Sequence, residues 1–110
     1  MEITRNILND IVVLSINGEV DASTSVDLDA AITDAANENA KKILIDCSNL
    51  NYISSAGLGV FMSYINDFES QNIKMHLCCM NETVYSVFEM LGLNNLLQIF
   101  SNKDEAIQCF

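Results

Sequence analysis

The chain contains no proline, a single histidine, four glycines and only five basic residues. Each scarcity removes a class of reading. Without proline nothing marks a rigid linker, and no repeat or low-complexity segment divides the chain. One domain over residues 1–110 is therefore expected. Five bases against fifteen acids leave a net charge of −10. Such a surface repels phosphate backbones and anionic lipid, which argues against direct binding of nucleic acid or a membrane surface. It is compatible with a basic patch on a partner protein. Uninterrupted apolar stretches, such as Ile11-Val12-Val13-Leu14, are far shorter than the roughly 20 residues that span a bilayer. The first residues lack the basic-then-apolar pattern of a secretory leader, so a cytoplasmic location is expected.

The cysteines, Cys47, Cys78, Cys79 and Cys109, include no C-x-x-C pair. Cys78 and Cys79 are adjacent; on a strand they would face opposite sides and could not share a tetrahedral metal. The expectation is no metal site, and reduced thiols buried in a core.

What is present is hydrophobic periodicity. Residues 2–7 and 11–17 read as two strands, with "LND" at 8–10 as the turn of a hairpin. Ser23, Thr24 and Ser25 offer an N-cap, with Asp27 and Asp29 in the first turn as solvated groups that complement the helix dipole. Leu28, Ala31, Ile32 and Ala35 then form the stripe of a helix over about 24–38. Residues 42–47 read as a buried central strand. Leu58, Phe61, Ile65 and Phe68 mark a second helix, and 73–78 another strand. Val84, Val87, Phe88 and Leu91 mark a third helix, stopped at Gly92. A strand at 97–100 and a short helix at 104–109 close the chain. The order β-β-α-β-α-β-α-β-α predicts an α/β fold, with a mixed sheet and parallel crossovers.

Catalytic constellations are missing. The serine elbow G-x-S-x-G needs glycine two residues before the nucleophile, where Tyr52 and Ile53 stand for Ser54 and Ser55. His76, the only imidazole, lies inside a strand pattern. Gly57-Leu58-Gly59 opens like a dinucleotide loop, but position 62 is methionine, and no G-K-[ST] exists. A hydrolase using Ser54 or Ser55 would lack a base, so no enzyme activity and no cofactor are expected.

The stretch Tyr52-Ile53-Ser54-Ser55-Ala56-Gly57-Leu58-Gly59 remains. It puts two hydroxyls where a helix begins. A phosphoryl group there would meet unpaired amides and the positive end of the dipole. It would add roughly −1.5 to −2 charges at one surface point. The two glycines cost about 1 kcal/mol each relative to alanine. Either they make room for a partner or they pack within the domain, and spacing alone favours the second reading.

Here the sequence resembles the STAS family, named for sulphate transporters and anti-sigma-factor antagonists, and most of all its small single-domain antagonists. The resemblance runs over essentially the whole chain. It is carried by Asp46-Cys47-Ser48 with Tyr52 to Val60, by Gly18-Glu19-Val20-Asp21, and by Phe88-Glu89-Met90-Leu91-Gly92-Leu93. It implies a STAS-like mixed sheet with Ser55 as the phosphorylated residue. It implies a partner-binding surface of Asp21, Ser54, Ser55, Ala56, Gly57 and Leu58, with Asp21 near the serine. Relatives often carry aspartate where Ser54 stands. The implied partners are an anti-sigma factor that is also an ATP-using serine kinase, and a PP2C-type phosphatase. The unphosphorylated chain would bind the anti-sigma factor and free the sigma factor; phosphorylation would end the interaction. The alternative is a non-phosphorylated STAS scaffold or assembly module, suggested by the missing aspartate.

Overall fold

A computed structural model describes all residues, 1–110. The elements are β1 (Glu2–Leu8), β2 (Ile11–Val20), α1 (Ser25–Asn37), β3 (Lys42–Ile53), α2 (Ser55–Ser70), β4 (Lys74–Cys78), α3 (Glu82–Met90), a 3-10 turn at Leu93–Asn95, β5 (Gln98–Phe100) and α4 (Lys103–Gln108). The expected order is present, with the 3-10 turn added between α3 and β5.

The five strands lie side by side in chain order, β1-β2-β3-β4-β5. β1 runs antiparallel to β2, and the other pairs are parallel. Because the parallel strands advance in one direction, right-handed crossovers put α1, α2 and α3 on the same face. That face holds the main core, which includes Leu14, Ile16, Leu28, Ile32, Ile43, Ile45, Leu58, Phe61 and Phe88. The rings of Phe61 and Phe88 meet with centroids 5.9 Å apart, joining α2 to α3. The other face has only α4 to cover it. A smaller cluster of Ile11, Val13, Leu44, Cys78 and Ala106 forms there, flanked by Phe100 and Phe110.

The helix stops are local. Asn39 and Asn72 take left-handed backbone after α1 and α2, with φ of 68° and 58°, and Gly92 does so after α3 with φ 72°. Asparagine tolerates this region better than most side chains, so it serves where glycine otherwise would. Leu91 lies beyond the last turn of α3 and is exposed, not part of the buried stripe expected for it.

β3 is longer than the six residues expected. Beyond Asp46 the ladder with β2 resumes at Asn49, Leu50, Tyr52 and Ile53, and the polar Ser48 and Asn51 have no partner in it. Two register irregularities absorb them, between Ser15 and Asn17 and between Gly18 and Glu19. The result is that Val20 and Ile53 pair at the far end, and two helices start close together there.

Candidate functional site

α2 begins directly after Ile53. Ser54 is its N-cap, in extended backbone, and its Oγ accepts from the Gly57 amide at 3.3 Å. The Ser54 amide donates to Val20 O at 2.8 Å, tying the helix start to the end of β2. Of the four amides that a helix start leaves without intrahelical partners, those of Ser54 and Gly57 are thereby satisfied. The amides of Ser55 and Ala56 are left for an outside acceptor. Ser55 is the first helical residue, it is exposed, and its hydroxyl has no partner within the chain. The two hydroxyls have separated roles: Ser54 closes the helix, and Ser55 stands free at its positive end.

The start of α1 is built differently. The expected hydroxyl cap is not the one used: Thr24 has helical backbone and its side chain makes no cap bond. Asp21 caps instead. Its Oδ1 accepts from the amides of Ser23 at 3.0 Å and Thr24 at 2.9 Å, and from the hydroxyls of both. Thr24 Oγ1 accepts in return from the Asp21 amide at 2.8 Å, a reciprocal arrangement of capping-box type. The amide of Thr24, then the hydroxyl of Ser23, hold the Asp21 carboxyl down to about 2. Asp21 and Ser54 follow the paired residues Val20 and Ile53, so the two caps sit at the same end of the sheet. The contacts that Asp21 makes are internal ones.

A shallow groove joins these helix starts, lined by Ser25, Val26, Asp29, Ala56, Gly59 and Ser63. Farther along the two helices, the Tyr64 hydroxyl hydrogen-bonds the Asp29 carboxylate and Thr33 Oγ1, linking α2 to α1. Burial, then the Asp29 carboxylate, pushes the tyrosine up to about 12. Asp29, though exposed like Asp27, is therefore also a structural acceptor and not the merely solvated acid expected. Val26 is 67% exposed on one wall, and Met62 is 49% exposed one turn beyond Gly59. Ser55, Gly59 and Met62 follow the i, i+4, i+7 spacing of one helix face.

The two glycines differ. A Cβ on Gly57 would lie 2.7 Å from Ile53 Cγ1 and 2.7 Å from Val20 Cγ1, inside the core. Gly57 is there so that α2 can sit against the end of the β2–β3 pair. A Cβ on Gly59 would meet nothing within 4 Å. Leu58 is 2% exposed and belongs to the core. Of the expected partner surface, Ser55 and Ala56 are at the surface, Ser54 is half-buried, and Gly57 and Leu58 support from within. Gly59, Val26 and Met62 were not among the expected contact residues. The spacing from Ser55 pointed to Gly59 and Met62; nothing local pointed to Val26, which arrives from another helix.

His76 does not approach the serines. It lies on the α4 side of the sheet, with Nδ1 2.8 Å from Ala106 O and its ring stacked on Phe110 at 3.8 Å. Burial lowers its pKa from the ordinary 6.5. A Ser–His dyad is not formed.

The thiols depart from expectation in two respects: Cys79 and Cys109 are not buried in the core, and Cys78 and Cys79 do not face opposite sides. β4 ends at Cys78, and Cys79 takes left-handed backbone with φ 68°. The chain turns there, so the two cysteines are not on opposite faces. Their sulphurs and an Asp46 carboxylate oxygen lie within 4.8 Å of one another. Cys47 and Cys78 are buried, Cys79 is half-buried and Cys109 is exposed.

A sheet covered chiefly on one face, with capped helix starts at one end, defines the chain as a small α/β module. The chain belongs to the STAS domain family, whose model matches residues 2–106. It is similar to BtrV, a candidate anti-sigma factor antagonist of Bordetella bronchiseptica, at 23% identity over 100% of this chain and 95% of that one. It is also similar to the anti-sigma-B factor antagonist of Staphylococcus aureus, at 22% identity over 78% of this chain and 80% of that one. Among solved structures, the Bacillus cell fate determinant SpoIIAA in its phosphorylated form shares the fold with a TM-score of 0.73. Identity there is 22%, over 97% of both chains. No helix is long and apolar enough to cross a membrane.

Proposed function

We propose that this chain is an anti-sigma factor antagonist whose binding is switched at Ser55. The observation that carries the reading is the division of labour at the α2 start. Ser54 already supplies the cap, so the Ser55 hydroxyl and two amides are available for chemistry. The unphosphorylated chain binds an anti-sigma factor through Ser55, Ala56 and the groove walled by Val26 and Gly59. The names of its relatives supply the partner class. Asp21 contributes by holding the first wall in place.

The partner's kinase activity transfers the γ-phosphoryl group of ATP to Ser55 Oγ. The new Oγ–P bond forms as the bond to ADP breaks, and the hydroxyl proton leaves to a base on the kinase. The product adds about two negative charges beside an open groove, favoured by the helix dipole and the free amides. The fold is kept, and an acidic or closely fitting partner surface is repelled. A PP2C-type phosphatase restores the hydroxyl.

The test incubates the chain with an ATP-using anti-sigma kinase from the same genome and maps the product by mass spectrometry. One phosphoryl group on Ser55, lost in Ser55→Ala, is expected. Full modification of Ser55→Ala would overturn the assignment. A second reading is a scaffold that is never phosphorylated. It is favoured by Ser54, which caps without the charge of the aspartate often found there in the family. Stable complex formation with no modification by any kinase of the genome would select it.

A further inference from the structure

We propose that Asp46, Cys78 and Cys79 form a binding site for a thiophilic d10 cation, with Zn2+ as the ion that suits the donor set. Cys78 and Cys79 lie at the carboxyl end of β4, and Asp46, within β3, is the register partner of Cys78 in the last pair of the β3–β4 ladder. Ligand sites of open α/β sheets favour that end. Their ligand atoms are already within 4.8 Å of one another. Zinc holds sulphur at about 2.3 Å, so two thiolates on one ion sit about 3.8 Å apart, and a modest closure suffices.

The turn at Cys79 supports the site independently. The other non-glycine residues with positive φ are all asparagines, at positions 9, 39 and 72. Cys79 stands where asparagine or glycine would turn the chain at less cost. Its reward is a sulphur brought round to the side of Cys78. A disulfide between the two is disfavoured on geometry: adjacent Cα atoms are about 3.8 Å apart, below the usual 4.4–6.8 Å for a disulfide. A bridging metal has the longer reach that the pair requires.

Two sulphurs and one carboxylate select a borderline-soft ion over Mg2+ or Ca2+. Three protein ligands leave the fourth tetrahedral position to water. The half-buried Cys79 gives access from solvent. Lys103 Nζ on α4 stands 3.8 Å from Asp46 Oδ2 and would be displaced by the ion. Binding converts two thiols and Zn2+ into a zinc dithiolate and two released protons. Because both thiols must lose their protons, affinity should rise with pH.

The experiment uses the full, reduced, chelator-treated chain. Cd2+ is titrated in as a spectroscopic stand-in, followed by the thiolate charge-transfer absorption, and Zn2+ affinity is read by competition with a chromophoric chelator. One equivalent bound, with the absorption band present, is the expected result. Cys79→Gly suits the left-handed turn, so it is expected to fold and to lose the band. Asp46→Asn should weaken Zn2+ binding at least tenfold, and Cys109→Ser should change nothing. Absence of the band at one equivalent, its survival in Cys79→Gly, or unchanged affinity in Asp46→Asn would overturn the site.

Discussion

Two helices begin at the same end of the sheet, and their starts are opposites. At α1 a permanent anion, Asp21, occupies the amides and adjoining hydroxyls. At α2 the neutral Ser54 takes one amide, and an exposed hydroxyl follows it. The physics of the two termini is the same: unpaired donors and the positive end of a dipole favour negative charge. The difference is that one charge is built into the chain, while the other position can receive one. In the proposed switch, phosphoserine at 55 would give α2 the anion that α1 always has.

Substitutions can break or sharpen this contrast. The largest effect is expected from Gly57→Ala. Its new methyl group would press on Val20 and Ile53, which are 0% and 3% exposed, so relief must come from the β2–β3 ends. A loss of about 1–3 kcal/mol in urea unfolding is expected. An unchanged midpoint would show that α2 is free to shift.

Removing the caps comes next. Asp21→Ala and Ser54→Ala should each cost about 0.5–2 kcal/mol, with Asp21→Ala the more costly because more hydrogen bonds end on it. Ser54→Asp should keep the cap, and if Ser54→Ala were as stable as the parent, the capping role would be wrong.

Gly59→Ala is expected to do the reverse of Gly57→Ala. With nothing near its Cβ, it should stabilise α2 by up to about 1 kcal/mol. It should also weaken anti-sigma factor binding, because the methyl group enters the groove. Stabilisation with undiminished binding, measured by calorimetry, would move the docking surface away from the groove.

The smallest effect is in acid. Asp21 has a folded pKa below its ordinary 3.8, so the unfolded chain binds the proton more readily. Its stabilisation is complete above that range and is lost as pH falls from 3.8 toward about 2. Asp21→Asn should flatten that part of the stability curve, while Ser55→Ala should leave it as in the parent.

Much of the fold is legible in the chain. Apolar spacing marks every helix and strand in order, because period 3.6 and period 2 are local properties. The end of β3 is not legible, since the polar Ser48, Asn49 and Asn51 interrupt the apolar run, and it is pairing of Asn49, Leu50, Tyr52 and Ile53 with β2 that continues the strand. The α1 cap is misplaced for a related reason: three hydroxyls in a row look like caps, but Asp21 reaches them first.

The sequence alone determined the element order, the acidic surface, the two serines and two glycines at one helix start, and membership of a family. Only the tertiary structure decided which serine caps, which glycine packs, and that Cys79 turns toward Cys78 and Asp46. The physical reason is shared by all three. Val20 and Ile53 define the space at Gly57, the end of β2 anchors the Ser54 amide, and β3 brings Asp46 beside β4. Each outcome depends on a neighbour distant in the chain, and no local pattern records what that neighbour will be.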